Sequence, residues 1–279
     1  MNHNRLSAEF TINCNGRLVS LKRPKVMGIL NMTPDSFSDG GKFNSETAAL
    51  RHAADVVNAG ADIIDIGAQS TRPGAEYLSG ETEIKRLGQI ISLIKKEFPK
   101  ILVSIDTFWA ETVKYSFDEG ADIINDISAG QFDPKMTKTI AATGLPYVLM
   151  HVNPNYAGMH DKPPYEDITV EINKFFFERI AALRKSGIQD IIIDPGFGFG
   201  KSVSDQMTMI DEAEFFGFGQ WPVLAGISRK SFIYKPAGKS PLNISEETAK
   251  LHRKLLEKGV KILRVHDVAD AKALIDEMF

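Results

Sequence analysis

Several stretches of the sequence concentrate side chains able to do chemistry. Asn31-Met-Thr-Pro-Asp-Ser-Phe-Ser-Asp-Gly-Gly41 sets the carboxylates of Asp35 and Asp39 around an aromatic Phe37. Gln69-Ser-Thr-Arg-Pro-Gly-Ala75 sets Thr71 and Arg72 beside Pro73. Both stretches read as lid loops that meet over a substrate, the first being long for a connection between regular elements. Ser228-Arg-Lys-Ser-Phe232 puts the cations of Arg229 and Lys230 just ahead of Ser231 at a helix start, where free backbone N–H groups attract an anion. Arg264 and His266 alternate with Val265 in an extended run and so share a face. With Asn31 they make a corner for a diphosphate and a hydrated Mg²⁺, an ion that needs few protein oxygens when its substrate brings phosphates.

Asp194-Pro-Gly-Phe-Gly-Phe-Gly-Lys-Ser202 imitates a nucleotide phosphate loop without being one. G-x-x-x-x-G-K-[ST] requires glycine where this chain has Pro195, and G-x-G-x-x-G fails because Gly200 comes one residue early. It reads as a substrate-facing turn whose glycines let the backbone come close while Asp194 supplies charge. H-E-x-x-H and paired cysteines are both missing from the sequence, so no zinc signature is present.

These residues need a scaffold, and an internal repeat describes it. AGADIIDIG (59–67), EGADIINDI (119–127), SGIQDIIIDPG (186–196) and KGVKILRVHD (258–267) each place a glycine after a helical stretch, then a short spacer, then a run of apolar residues. The glycine suits a left-handed helix terminus, and the unalternating run suits a strand buried on both faces. Val26–Leu30, Ile101–Asp106, Tyr147–His151 and Pro222–Ser228 are similar runs that fit between, giving eight strands. Helical stripes separate them. Ile84, Leu87, Ile91, Ile94 and Phe98 predict one helix ending before Pro99; Ile172, Phe176, Ile180 and Leu183 predict another from about 167 to 186. Further helices are predicted from Ser245 and over Val268–Met278. The pattern predicts an α/β fold: a single-domain (β/α)8 TIM barrel over residues 22–279, preferred to a doubly wound open sheet. Residues 1–21 form an N-terminal extension whose β-hairpin closes the barrel bottom.

In such barrels the active site lies where strands end. Here those ends carry Asn31, Asp106, Asn125-Asp126, His151, Asp194, Ser228 and His266, whereas strand middles are expected to be apolar. Taken singly, an Asp or Asn there is as often a turn former or a cap as a ligand contact. Asp126, pointing opposite to Asn125, is read as such a structural partner, and His151 is left open.

Composition excludes several function classes. The chain has 279 residues, 43% hydrophobic and 25% charged, with a net charge of -3. That supports a packed core and argues against capture of nucleic acid or of an anionic membrane. No apolar run approaches the ~18 residues a membrane span needs. MNHNRLSAEF has no signal-peptide core, and a lone Cys14 suits a reducing cytoplasm.

MGILNMTPDSFSDGG (27–41), STRPGA (70–75), SIDT (104–107), INDI (124–127), DPGFGFGK (194–201), SRKS (228–231) and RVHDV (264–268) together resemble dihydropteroate synthase, in that family's order. The resemblance implies an enzyme of folate synthesis. It would join 6-hydroxymethyl-7,8-dihydropterin diphosphate to p-aminobenzoate, releasing pyrophosphate and 7,8-dihydropteroate by an SN1-like displacement assisted by Mg²⁺. It implies that Asp106, Asn125, Asp194 and Lys230 hold the pterin while Met150 and Phe199 flank its ring. Asn31, Thr71, Arg264 and His266 would take the diphosphate, with Asn31 on Mg²⁺. Phe37, Thr71, Pro73 and Ser231 would surround p-aminobenzoate, and Arg72 would be a further substrate-binding residue. Lys230, Arg264 and His266 would carry the chemistry, in a cytoplasmic homodimer that is a sulfonamide target. Departures from the family pattern are Ala68-Gln69 ahead of STRPGA and Val152–His160 after His151. A pterin-binding methyltetrahydrofolate methyltransferase with a corrinoid partner is the alternative. It has no use for the Arg264–His266 pair. A catalytically silent pterin-binding module is disfavoured by the presence of Asn31, Lys230 and Arg264.

Overall fold

A computed structural model of the chain describes residues 9–32, 41–70, 75, 77–152 and 158–279, with side chains in the first helix from residue 46 onward. The chain opens with a hairpin of β1 (Thr11–Cys14) and β2 (Arg17–Ser20). Its two-residue turn places Asn15 and Gly16 at positive φ, the backbone that matches the twist of paired strands.

Eight parallel strands follow: β3 (Lys25–Asn31), β4 (Ile63–Gly67), β5 (Leu102–Asp106), β6 (Ile123–Asp126), β7 (Tyr147–Met150), β8 (Ile191–Asp194), β9 (Leu224–Ala225) and β10 (Ile262–Val265). They lie side by side in the order β8-β7-β6-β5-β4-β3-β10-β9. A parallel bridge between Ile193 and Val223 brings β8 against β9, so the sheet comes round into the predicted barrel. The connecting helices are α1 (Gly41–Asn58), α2 (Gly80–Leu87), α3 (Ile90–Glu97), α4 (Ala110–Asp118), α5 (Met136–Thr143), α6 (Ile168–Lys185), α7 (Val203–Asp211), α8 (Ser231–Tyr234), α9 (Ser245–Glu257) and α10 (Val268–Met278). A 3₁₀ segment, Ala213–Gly219, precedes β9.

The glycines of the repeat do what their spacing predicts: Gly60, Gly120, Gly187 and Gly259 have φ of 97°, 97°, 98° and 87°. Two residues after the first two of these, Asp62 and Asp122 accept the backbone N–H of Val26 and Val103 at 3.0 and 2.8 Å. Each helix exit is thereby tied to a neighbouring strand. One helix departs from expectation. The Ile84–Phe98 stripe is two helices, because Gly88 takes φ 50° and ends α2 before α3 begins. The stripe still faces inward, with Leu87, Ile91 and Ile94 buried.

The barrel interior is layered. Its floor is Met27, Ile63, Leu102, Ile123, Val148, Ile192, Leu224 and Ile262, packed with Ile12, Cys14 and Leu21 of the hairpin segment. The hairpin therefore sits under the barrel, as its position in the sequence predicts. Side chains alternate across a strand, so the next layer up is two residues on: Ile29, Asp65, Ser104, Asn125, Met150, Asp194, Gly226 and Arg264. Above these come Asn31, Gly67, Asp106, Ser228 and His266. The expectation of apolar strand middles is thus wrong on the inward face. Asp65 and Ser104 are the central residues of β4 and β5 and are wholly buried.

Candidate active site

One wall of the mouth is built around Arg264. Its Nε donates to Asp65 Oδ2 at 2.6 Å and its Nη2 to Asp106 Oδ2 at 2.7 Å. Asp65 also accepts from Asn125 Nδ2 at 3.1 Å and from Ser104 Oγ at 2.6 Å. Burial pushes the Asp106 carboxyl up to about 7; Arg264 opposes the rise and the neighbouring Asp65 adds to it.

The facing wall is built on the loop after β8. Asp194 Oδ1 accepts the Gly196 N–H at 2.7 Å, and burial raises its pKa against the pull of Lys230. Lys230 donates to the Phe197 carbonyl, and its Nζ lies 4.8 Å from the centre of the Phe199 ring. Burial lowers the Lys230 pKa to about 8, with Asp194 opposing. His160 stacks on Phe199 at 5.5 Å, and Phe199 packs against the cluster holding buried Met150. Lys201, which in a phosphate loop would reach for the ligand, turns inward. Its Nζ donates to the carbonyls of Gly196 and Phe199, both at 2.9 Å, and of His151 at 3.4 Å, tying the loop into shape.

Between the walls stands His266. Its peptide N–H donates to Ser228 Oγ at 3.2 Å, and its Nδ1 lies the same distance from that oxygen. Burial, with the nearby Arg229 and Arg264, brings its pKa down to about 4, so the ring is neutral at physiological pH. Arg229, read from the sequence as one of a pair of anion-facing cations, is bound to Asp267 at 2.5 and 3.2 Å. Lys230 remains as the cation of that pair facing the mouth. Ser231 opens α8 and is exposed; Asn31 ends β3, half-buried.

Asp106, Asn125, Met150, Asp194, Phe199, Lys230, Ser231, Arg264, His266 and Asn31 thus all lie on the elements forming one mouth. Phe37, Thr71, Arg72 and Pro73 lie outside the described residues. Asp126 has the structural role expected of it, accepting from Ser128 N, Gly130 N and Tyr147 Oη at 2.7–2.8 Å. His151 is half-buried, its Nδ1 out of solvent and without a partner among the described residues, and desolvation holds its pKa well down. Sequence reasoning missed Asp65, Ser104 and the inward role of Lys201. Stepping by two from the floor of each strand finds the first two. It also missed Glu83 of α2, whose Oε2 accepts from Thr107 Oγ1 at 2.5 Å beneath the mouth.

No group of three or more His, Cys, Asp or Glu able to hold a metal occurs among the described residues. Asn31 contributes one neutral amide oxygen. Such a donor set fits a magnesium ion that takes most of its ligands from a diphosphate and water.

Residues 27–266 match the pterin binding enzyme family. The chain is 40% identical over 257 residues to the dihydropteroate synthase of Escherichia coli (strain K12), covering 91% of this chain and 90% of that one. A Xanthomonas albilineans dihydropteroate synthase solved with 4-aminobenzoic acid superposes with a TM-score of 0.89 at 36% identity, covering 97% of each chain. The same organism's enzyme in complex with 7,8-dihydropteroate gives 0.85 at 34% identity, covering 96% of this chain and 97% of that one.

Proposed function

The chain belongs to the dihydropteroate synthase family of pterin binding enzymes and has that family's activity, and from this premise we propose how its barrel mouth performs it. The substrates are 6-hydroxymethyl-7,8-dihydropterin diphosphate and p-aminobenzoate; the products are 7,8-dihydropteroate and pyrophosphate. The convergence of a ring-reading carboxylate and a cationic corner on one mouth carries the reading. Asp194 accepts N–H bonds from the pyrimidine edge of the pterin, with Asn125 and Asp106 completing the pairing and Lys230 beside them. Leaving such groups unpaired would cost about 1–3 kcal/mol each. Met150 and Phe199 sandwich the ring.

Arg264 has five N–H donors and commits two to Asp65 and Asp106, so others remain for diphosphate oxygens. Neutral His266 adds a donor without adding charge, and Asn31 and Thr71 complete the corner. Magnesium, held by Asn31 and the diphosphate, would neutralise charge on the leaving group. Arg264 and His266 stabilise that same charge as the carbon–oxygen bond breaks, while the electron-rich ring carries the cation left on the methylene carbon. The neutral amine of p-aminobenzoate then bonds to that carbon and passes its extra proton to the released pyrophosphate; because the carbon–oxygen bond breaks first, the displacement is SN1-like. Phe37, Thr71, Pro73 and Ser231 position the amine, with Arg72 as a further substrate contact.

The reading includes a barrel spanning 22–279 with residues 1–21 as an extension, supported by the hairpin's seat on the barrel floor. It includes a homodimer, for which exposed Phe177 and Phe218, lining a groove beside Trp221, offer an apolar face. It also includes a reducing cytoplasmic setting, consistent with the unpaired Cys14. No helix among the described residues is long and apolar enough to cross a membrane. The test is pyrophosphate release with p-aminobenzoate omitted and restored. Sustained release is expected only with both substrates, and a native preparation that releases none ends the reading.

A further inference from the structure

Asp65 was not among the residues expected to act, yet it organises more of the mouth than any of them. It occupies the centre of β4 with 0% of its surface exposed, and it gathers partners from three other strands. Ser104 of β5 takes Oδ1 at 2.6 Å; Arg264 of β10 and Asn125 of β6 share Oδ2 at 2.6 and 3.1 Å. A carboxylate paired with a guanidinium can only accept hydrogen bonds. The atom that Asn125 turns toward Asp65 must therefore be its amide nitrogen. The amide is planar, so the oxygen is on the other branch and is the atom left for a ligand.

We propose that Asp65 is a positioning residue that fixes the amide of Asn125 with its oxygen toward the substrate, so that this oxygen accepts a hydrogen bond from the pterin. Without the carboxylate, Asn125 is free to turn over and present an NH₂ group where the ring also presents an N–H. Two donors then face each other, and the buried edge of the ring loses a partner. The same carboxylate holds the Nε edge of Arg264, which sets the plane in which the guanidinium meets the diphosphate. The polarity of ring recognition is thus decided one layer below the residues that touch the ring. This inference rests on the reading of the mouth as a pterin site.

The test uses the full-length protein, with 6-hydroxymethylpterin as the probe. D65N should weaken its binding about tenfold or more while leaving the KM for p-aminobenzoate within about twofold at saturating pterin diphosphate. D65N/N125D restores an amide-to-carboxylate pair with an acceptor again at position 125, and should recover most of the lost affinity. Asparagine-selective ¹⁵N labelling of the wild type supplies a measurement independent of either variant's folding. The Asn125 side-chain N–H signals, assigned by their disappearance in N125D, should exchange slowly and stay so when the pterin is added. D65N binding the pterin as tightly as wild type, a double variant no better than the single, or Asn125 N–H protons protected only by the pterin would each overturn the proposal. A wild-type protein that binds no pterin at all would instead overturn the functional reading beneath it.

Discussion

Arg264 Nη2 donates to Asp106 Oδ2 at 2.7 Å, and this contact opposes the burial that lifts the Asp106 carboxyl to about 7. Asp106 must be ionised to accept an N–H from the pterin at full strength. Lowering the pH through about 7 protonates it, so pterin affinity should weaken toward tenfold per pH unit at the limit of one proton. Arg264→Met removes the opposing cation and should move that limb to higher pH. Calorimetric titration of the pterin between pH 5.5 and 8.5 measures both, and a flat profile would refute the role given to Asp106.

Glu83 supplies a stability test away from the ligand. Burial lifts its carboxyl from the ordinary 4.5 to about 7, opposed by the hydroxyls of Thr107 and Thr112 beside it. The folded state therefore holds a proton that the unfolded chain releases between pH 4.5 and 7. Stability carried by this group is present below pH 4.5 and is lost as pH rises through 7, up to about 3 kcal/mol. Glu83→Gln should flatten the fall in Tm between pH 5 and 8, and an unchanged slope would count against it.

Lys201→Met keeps an unbranched side chain, one heavy atom shorter, and removes its donors. The carbonyls of Gly196, Phe199 and His151 lose their shared partner. We expect a loss of about 3 kcal/mol, or roughly 8 °C in Tm, together with weaker pterin binding as the 194–200 loop relaxes. Denaturant melts run beside pterin titrations separate the two effects.

Gly198 has φ 84°, and a methyl group there would lie 2.5 Å from Lys230 Cδ. Gly198→Ala should displace that lysine from the Phe199 ring. The KM for the pterin diphosphate should rise about tenfold, with a smaller change in the KM for p-aminobenzoate. Steady-state kinetics varying each substrate in turn would show whether the effect falls on the ring subsite.

The barrel was legible because its repeat is local: a glycine at positive φ followed by an unalternating apolar run can be read within ten residues. The break at Gly88 was not, because the apolar stripe continues in phase on both sides of it. Asp194, Asn125, Arg264 and His266 could be found at strand ends. Asp65 escaped because IIDIG reads as a buried strand whose one polar residue faces nothing in the sequence; its partners lie 39, 60 and 199 residues away. Arg229 misled for the same reason, since Asp267, which occupies it, is 38 residues on. Pairings that cross the barrel are made by the closing of the cylinder, and composition alone does not encode them.

Cys14 lies 1% exposed in the barrel floor, and burial pushes its thiol up to about 12. Thiolate is the reactive form, so an alkylating reagent at neutral pH can reach this sulfur only after the hairpin has peeled away from the barrel. The chain has one cysteine, so its trapping rate is a built-in stopwatch for that detachment. Dyes attached through cysteines engineered at the rim would meanwhile react alone, with the native sulfur left in place.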